Sequence, residues 1–247
     1  MEIYPTEIGK LDATDPKTNG NSCDEALPRQ TRKIKPTRRS VSGVYPFRCE
    51  TSIPFESTLE RDFLIRAEFF VDVLDIIPQP IRVPFTCLNG ESYVYTPDFL
   101  VYYKLGSRDY CNYPKPLLVE VKPEADWRKH WREWLPKWKA ARQYALTQGW
   151  NFHIVDESRI RDKVFHNVRF LERYKRMTFV REESEAVISS VRDMGSTPVH
   201  YLLARHFMGI YREEGIAHIW SLIATRRLDC DVSHPLNEFT QVWIPHA

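Results

Sequence analysis

The chain has 247 residues, of which 43% are hydrophobic and 13% aromatic, so it is long enough to bury a core in one or two domains. Its 35 Lys and Arg residues nearly balance its 33 Asp and Glu residues, so any nucleic-acid binding has to depend on where the charges lie and not on the net charge of +2. The five Cys residues are odd in number and form no Cys-x-x-Cys pair, which argues against a disulfide framework and against a zinc knuckle.

The amino-terminal segment, residues 1–40, is predicted to be a disordered leader followed by a basic arm. Residues 1–28 are mostly polar and lack apolar periodicity, and the acidic Glu2 and Glu7 argue against a secretory signal. Seven Lys and Arg residues between positions 29 and 48 then occur without an acidic residue among them. This arm is either a solvated linker or a contact to the DNA backbone. The candidates for the DNA contact are Arg32, Lys33, Arg38 and Arg39.

A helix is predicted to begin after Ser57, which is a good N-cap residue. Glu60 lies three residues further on, where a capping box has its acidic partner. Pro78 and Pro80 are expected to end this helix. The apolar residues at helical spacing are Leu59, Phe63, Leu64, Ala67 and Phe70.

The next segment predicts a mixed sheet flanked by helices. Asn89 and Gly90 mark a hairpin turn between two strands, and residues 117–122 have the mostly apolar composition of a buried central strand. Pro136 falls inside a predicted helix and is a candidate position for a break. We therefore predict an α/β domain over residues 41–165. The predicted strands cover residues 81–85, 91–95, 96–103, 117–122 and 151–156, and the predicted helix covers residues 125–149.

The remainder of the chain is predicted to be a mostly helical domain over residues 166–247. Three helices are followed by two strands around Pro235, which is the order of elements in a winged-helix domain. The predicted helices cover residues 160–175, 184–194, 199–207 and 213–224, the first of them crossing from the preceding domain.

No membrane association is expected. The longest apolar stretch, residues 69–83, is interrupted by Asp72 and Asp75, so it does not provide a transmembrane span. Because a secretory signal is not recognisable either, the sequence predicts a cytoplasmic protein.

The residues that carry chemistry are Asp98 and the triplet Glu120-Val121-Lys122. Side chains of a strand alternate between its two faces, so Glu120 and Lys122 are expected on one face, with Val121 packed on the other. Two carboxylates supply the hard oxygen ligands that Mg²⁺ prefers, and Mn²⁺ is expected to substitute for it. Lys122 would place positive charge beside a scissile phosphate. The pattern therefore predicts metal-dependent phosphodiester hydrolysis.

Glu60 has two interpretations that the sequence leaves open. Its carboxylate is a third ligand of the metal site if the amino-terminal half of the helix packs against the sheet. In the other interpretation, Glu60 is only the capping-box acid that pairs with Ser57.

Four short motifs resemble those of TnsA-type endonucleases, the subunits of heteromeric transposases that cut the 5′ ends of a mobile element. The resemblance implies a restriction-endonuclease-like α/β domain in which Glu60, Asp98 and Lys122 are catalytic. Some members have Gln where this chain has Glu120, and Glu restores the pattern general to restriction-type nucleases. The motifs are Leu59-Glu60-Arg61-Asp62-Phe63, Asp75-Ile76-Ile77-Pro78-Gln79-Pro80, Tyr95-Thr96-Pro97-Asp98-Phe99 and Leu118-Val119-Glu120-Val121-Lys122-Pro123.

The resemblance also implies partners. These are double-stranded DNA at the transposon ends, a DDE-type transposase subunit that cuts the 3′ ends, and an AAA+ ATPase regulator. Two alternatives stay open at this stage: a stand-alone restriction or repair nuclease with the same site, and a non-catalytic DNA-binding subunit in which the acids are structural.

Two further groups of residues have a structural and a functional interpretation. The helical spacing of Trp127, Trp131, Trp134 and Trp138 favours core packing over stacking on bases. A second basic stretch is either a solvated helix face or a contact to DNA or protein. Its members are Arg159, Arg161, Lys163, Arg169, Arg173, Lys175, Arg176 and Arg181.

Overall fold

The structure is a computed structural model and describes residues 9–10, 28–31, 41–87, 89–106, 108–209 and 212–245. The four arm residues predicted to contact DNA, Arg32, Lys33, Arg38 and Arg39, lie outside the described residues. Contacts divide the chain into two compact units. The first comprises residues 1–61 and 72–157, and the second comprises residues 62–71 and 158–247.

The first unit holds most of the strands in the described part of the chain. Helix α1 begins in this unit and continues in the second. The elements in chain order are β1 (Gly9–Lys10), β2 (Gly43–Phe47), β3 (Thr51–Phe55), α1 (Thr58–Phe69), β4 (Val73–Pro78), β5 (Val83–Thr86), β6 (Ser92–Tyr95), β7 (Phe99–Tyr103), a 3₁₀ turn (Tyr110–Asn112), β8 (Leu117–Val121), α2 (Glu124–Thr147) and β9 (Asn151–Val155).

A mixed four-stranded sheet, counted over the described residues, forms the centre of this unit in the order β4-β7-β8-β9. The first three strands are antiparallel, whereas β8 and β9 are parallel and are connected through α2. The predicted central strand is confirmed, because Leu118 and Val119 of β8 are fully buried. The pairing of Phe99 with Val119 brings the start of β7 beside the end of β8. This register positions the candidate site.

Helix α2 packs across the β5–β6 hairpin and the central sheet. Trp138, Ala141 and Ala145 are buried along one face of α2, while Trp131 is 44% exposed, so only part of the Trp row belongs to the core. The helix is continuous through Pro136, and the break considered there is not present. The turn at Asn89–Gly90 closes the predicted hairpin, and Gly90 adopts a φ of 83° that favours glycine.

Several elements of this unit were not predicted, among them β4 and the β2–β3 hairpin. Helix α1 ends at Phe69, well before Pro78, and Val73–Pro78 forms the edge strand β4, where a proline is tolerated because one side of the strand has no ladder partner. The β2–β3 hairpin turns at Arg48 and Cys49, which both have positive φ, of 51° and 59°. A turn with two positive φ values usually has the sequence Asn-Gly, so the pair Arg48-Cys49 does not predict it.

The second unit is mainly helical. Its core contains the fully buried side chains of Val187, Leu202, Ile219, Ile223 and Leu228. Its strands form an antiparallel sheet in the order β10-β12-β11. After the remainder of α1, its described elements are α3 (Glu157–Ile160, which begins at the last residue of the first unit), α4 (Lys163–Glu172), α5 (Arg181–Met194), β10 (Ser196–Pro198), α6 (Val199–His206), α7 (Arg212–Ala224), β11 (Asp229–Cys230) and β12 (Gln241–Trp243).

Ion pairs hold the later part of α1 within the second unit. Arg161 Nε lies 2.8 Å from Asp62 Oδ2, and Lys175 Nζ lies 2.6 Å from Glu68 Oε2, with both carboxylates buried. Each of these buried carboxylates therefore has a cation at ion-pairing distance.

None of the helices in the described part of the chain is long and apolar enough to cross a membrane.

Candidate active site

Asp98 lies directly before β7, where the backbone fixes it against β8. Its N–H donates to the carbonyl of Val119 at 3.1 Å, and its Oδ2 accepts the N–H of Val121 at 2.7 Å. The Asp98 side chain therefore bridges to the strand that carries Glu120.

Glu120 is 1% exposed and is held on both carboxylate oxygens. Its Oε2 accepts the hydroxyl of Tyr95 at 2.5 Å. Its Oε1 lies 3.6 Å from the ammonium of Lys122 and 3.6 Å from that of Lys137. Because Glu120 and Lys122 are two residues apart on an extended chain, both reach the same face, as the period of the strand predicts. The structure thus brings Asp98, Glu120 and Lys122 together.

The two carboxylates differ in protonation tendency. Burial and the neighbouring charge of Glu120 raise the pKa of Asp98 well above its ordinary value. Burial acts to raise the pKa of Glu120 too, but the ammonium groups of Lys122 and Lys137 outweigh it and lower that pKa. Burial disfavours the charged form of Lys122, and the surrounding carboxylates overcome this and raise its pKa. Glu120 and Lys122 therefore carry opposite charges. If Asp98 and Glu120 share one proton, the proton binds preferentially to Asp98.

Glu60 forms the predicted capping box at the start of α1. Its N–H donates to Ser57 Oγ at 3.1 Å, its Oε1 accepts the Ser57 hydroxyl at 2.9 Å, and its Oε2 accepts the N–H of Glu56 at 2.8 Å. The pKa of Glu60 is raised by burial, against the lowering effect of the Glu56 hydrogen bond and of the Lys122 charge. Glu60 thus caps the helix and also lies within the electrostatic range of the site.

Lys137 and Tyr95 both contact Glu120, and the sequence analysis did not predict them as site residues. Lys137 is 6% exposed, and its ammonium lies 5.0 Å from the ring centroid of Tyr95 and 4.8 Å from that of Trp134. Burial lowers the pKa of Lys137. The sequence did contain one sign of Lys137. This lysine lies within the apolar face of α2, directly before Trp138, where a solvent-exposed charge is not expected.

The donor set at this position fits a divalent cation. Asp98 and Glu120 are adjacent carboxylates with hard oxygen atoms, and the negative charge of Glu120 is preserved. No three His, Cys, Asp or Glu side chains within the described ranges are placed to hold one metal ion. A pair of carboxylates would suit Mg²⁺, because this ion keeps several of its waters when it binds to a protein.

Comparisons with protein families match both units. The family described as TnsA-like endonuclease N terminal matches residues 71–157, which include Asp98, Glu120 and Lys122 but not Glu60. The family described as TnsA endonuclease C terminal matches residues 159–232. No curated protein matches the chain. The two family matches together cover more than half of the sequence, and the chain belongs to the TnsA endonuclease family.

Proposed function

We propose that the chain is the metal-dependent endonuclease subunit of a transposase and hydrolyses phosphodiester bonds at the 5′ ends of a mobile element during cut-and-paste transposition. The observation that carries this proposal is the cluster of Asp98, Glu120 and Lys122, located inside the match to the TnsA-like amino-terminal family. A restriction-endonuclease-like fold for this unit agrees with its mixed sheet and flanking helices.

Each residue has a proposed role in hydrolysis. Asp98 and Glu120 hold Mg²⁺, for which Mn²⁺ substitutes, and the bound cation supplies activation of water and neutralisation of phosphate charge. The ammonium of Lys122 contacts a nonbridging oxygen of the scissile phosphate, where negative charge increases in the transition state. The raised pKa of Lys122 supports this role because it keeps the group charged at neutral pH. Lys137 and Tyr95 orient Glu120.

Glu60 acts through its charge in this proposal. The proposal allows it to hold a second metal ion. Its carboxylate oxygens also serve the helix cap, where Oε1 accepts the Ser57 hydroxyl and Oε2 accepts the N–H of Glu56. A charge effect on Lys122 and Asp98 is supported by the influence of Glu60 on the pKa of each.

The substrate and partners follow from the family. We propose that the substrate is duplex DNA at the transposon ends, that a DDE-type subunit cuts the 3′ ends, and that an AAA+ ATPase regulates the assembly. The second unit is proposed to be winged-helix-like, which is supported by the order α5, β10, α6, α7, β11, β12 and by the antiparallel three-stranded sheet.

Metal titration tests the proposed site. We expect the wild-type chain to bind Mn²⁺ in calorimetry and an Asp98→Ala variant to lose this binding, because one of two carboxylate ligands is removed. Asp193→Ala is the matched control, since Asp193 is exposed on α5. Equal Mn²⁺ binding by all three proteins would overturn the metal site. Efficient cutting of DNA by the purified chain alone would instead indicate a stand-alone nuclease.

A further inference from the structure

Helix α4 carries a row of basic side chains on its exposed side. Lys163, His166, Arg169, Arg173 and Arg176 are all exposed and follow one another at intervals of three or four residues, so they share one face of the helix and its extension. We call these five residues the α4 basic face.

The segment that carries the α4 basic face contains one acid against its Lys and Arg residues. Glu172 is the only acid between positions 163 and 176. It is half-buried, lies 3.9 Å from Lys175, and feels the charges of Arg169 and Arg176, which act to lower its pKa against the raising effect of burial. Arg173 is also held in place, because its guanidinium lies 4.6 Å from the ring centroid of Phe170 and its Nε donates to the Phe170 carbonyl.

Helix α7 is the element expected to contact DNA in this topology, since the second helix of a helix-turn-helix enters the major groove. Its surface is unsuited to that role. The seven residues from His218 to Ala224 are buried, and the exposed first turn contains Glu213 and Glu214 beside Arg212, which pairs with Glu238. An acidic end repels phosphates, and a buried helix offers no side chains to base edges.

Helix α4 itself covers part of α7. The rings of Phe170 and Trp220 meet edge to face with centroids 5.8 Å apart. On its next face, Asn167 Nδ2 donates to the carbonyls of Val232 and His234, at 2.9 and 2.7 Å. These two hydrogen bonds connect the loop between β11 and β12 to α4.

We infer that the α4 basic face, and not α7, binds the phosphate backbone of duplex DNA in this unit, an inference that rests on the proposed nuclease function. Charge complementarity favours duplex DNA as the partner, because guanidinium groups bind phosphate oxygens in a planar, bidentate geometry and the four Lys and Arg residues of the face outnumber the one neighbouring acid, Glu172. Contacts of this kind fix the position of the protein on DNA without reading its sequence.

The test compares two double variants that remove the same charge. Arg169→Gln/Arg173→Gln alters the α4 basic face, and Arg192→Gln/Arg205→Gln alters exposed arginines on α5 and α6. Binding of a fluorescein-labelled duplex is followed by anisotropy in EDTA across a series of KCl concentrations. Circular dichroism verifies that each variant is folded.

We expect the α4 variant to bind more weakly on every duplex sequence and to lose about 1.8 from the slope of log affinity against log salt, which corresponds to two phosphate contacts. The α5/α6 control should keep the wild-type slope. Equal slopes for the three proteins, or no duplex binding by wild type, would overturn the inference. Because the proposed cleavage needs a metal ion, the EDTA assay measures binding alone. An unchanged slope together with normal 5′-strand cutting in Mg²⁺ by the assembled complex would leave the proposed function intact. Absence of 5′-strand cutting by the assembled wild-type complex in Mg²⁺ would overturn that function instead.

Discussion

At the scale of single residues, Glu120 keeps its charge because two ammonium groups and one hydroxyl lie beside it. A lone buried carboxylate would take up a proton, and its pKa would rise. Lys122 and Lys137 reverse this tendency, so the negative charge stays at Glu120 while Asp98 becomes the more basic carboxylate. The two acids are thus chemically different although they belong to one site.

Lys122→Ala is predicted to preserve folding and Mn²⁺ binding and to remove most cleavage. In the proposed mechanism the residue adds charge beside the phosphate and is neither a metal ligand nor part of the apolar core. Loss of one such electrostatic contact lowers the rate by about 10²–10³-fold. Single-turnover cleavage of a labelled duplex in the assembled complex measures the effect, and near-normal cutting would show that Lys122 is not catalytic.

Lys137→Met tests whether Lys137 positions Glu120. Methionine keeps the length and the packing against Trp134 but removes the ammonium 3.6 Å from Glu120 Oε1. We expect cleavage to fall by about 10–100-fold, as is typical when a group that orients a metal ligand is lost. Lys139→Met is the matched control, because Lys139 is exposed on the same helix. Equal rates for the two variants would contradict the positioning role.

Glu60→Gln separates capping from catalysis. Glutamine also serves as the partner in a capping box, so we expect the melting temperature to stay close to that of wild type, whereas Glu60→Ala should lose about 0.5–2 kcal/mol. The charge near Lys122 and Asp98 is removed in both variants, and we expect at least a tenfold loss of cleavage. Full activity of Glu60→Gln would mean that Glu60 only caps the helix.

At the scale of elements, α6 and α7 depend on a close approach at Gly215. A Cβ at this position would overlap the ring of Phe207, which is itself buried. Gly215→Ala is therefore predicted to destabilise the protein by about 1–3 kcal/mol, in spite of the higher helix propensity of alanine. Glu214→Ala on the same turn is exposed and should change little. Chemical denaturation measures both, and a more stable Gly215→Ala protein would contradict the packing argument.

The sequence predicted those elements in which the residue types match the conformation and the burial that the fold gives them. The Asn89-Gly90 turn and the apolar β8 are of this kind, and the Glu120-x-Lys122 spacing follows from the strand period. The β2–β3 hairpin was missed because its positive-φ turn uses Arg48 and Cys49. Lys137 was missed for another reason: only the packing of α2 on the sheet determines which helix face reaches Glu120.

At the scale of the whole molecule, the residues proposed to cleave DNA and those inferred to bind it lie in different units. The carboxylates and Lys122 all belong to the first unit, and the α4 basic face belongs to the second. Because of this separation, we predict that Asp98→Ala in the assembled transposase affects cleavage and not DNA binding. It removes a carboxylate whose proposed task is to hold the metal, while DNA-binding and partner-binding surfaces keep their residues. Assembly should survive, and nearly all 5′-strand cleavage should be lost.

The products of a transposition assay report this loss directly. If the partner still cuts and joins the 3′ ends, the 5′ strands remain attached to the donor molecule, and replication through that branched product fuses donor and target. We therefore expect Asp98→Ala to convert simple insertions into fusions, with Asp193→Ala giving wild-type products as the control. Simple insertions at wild-type frequency from Asp98→Ala would show that Asp98 is not catalytic, and a complete loss of joining would assign it to assembly instead.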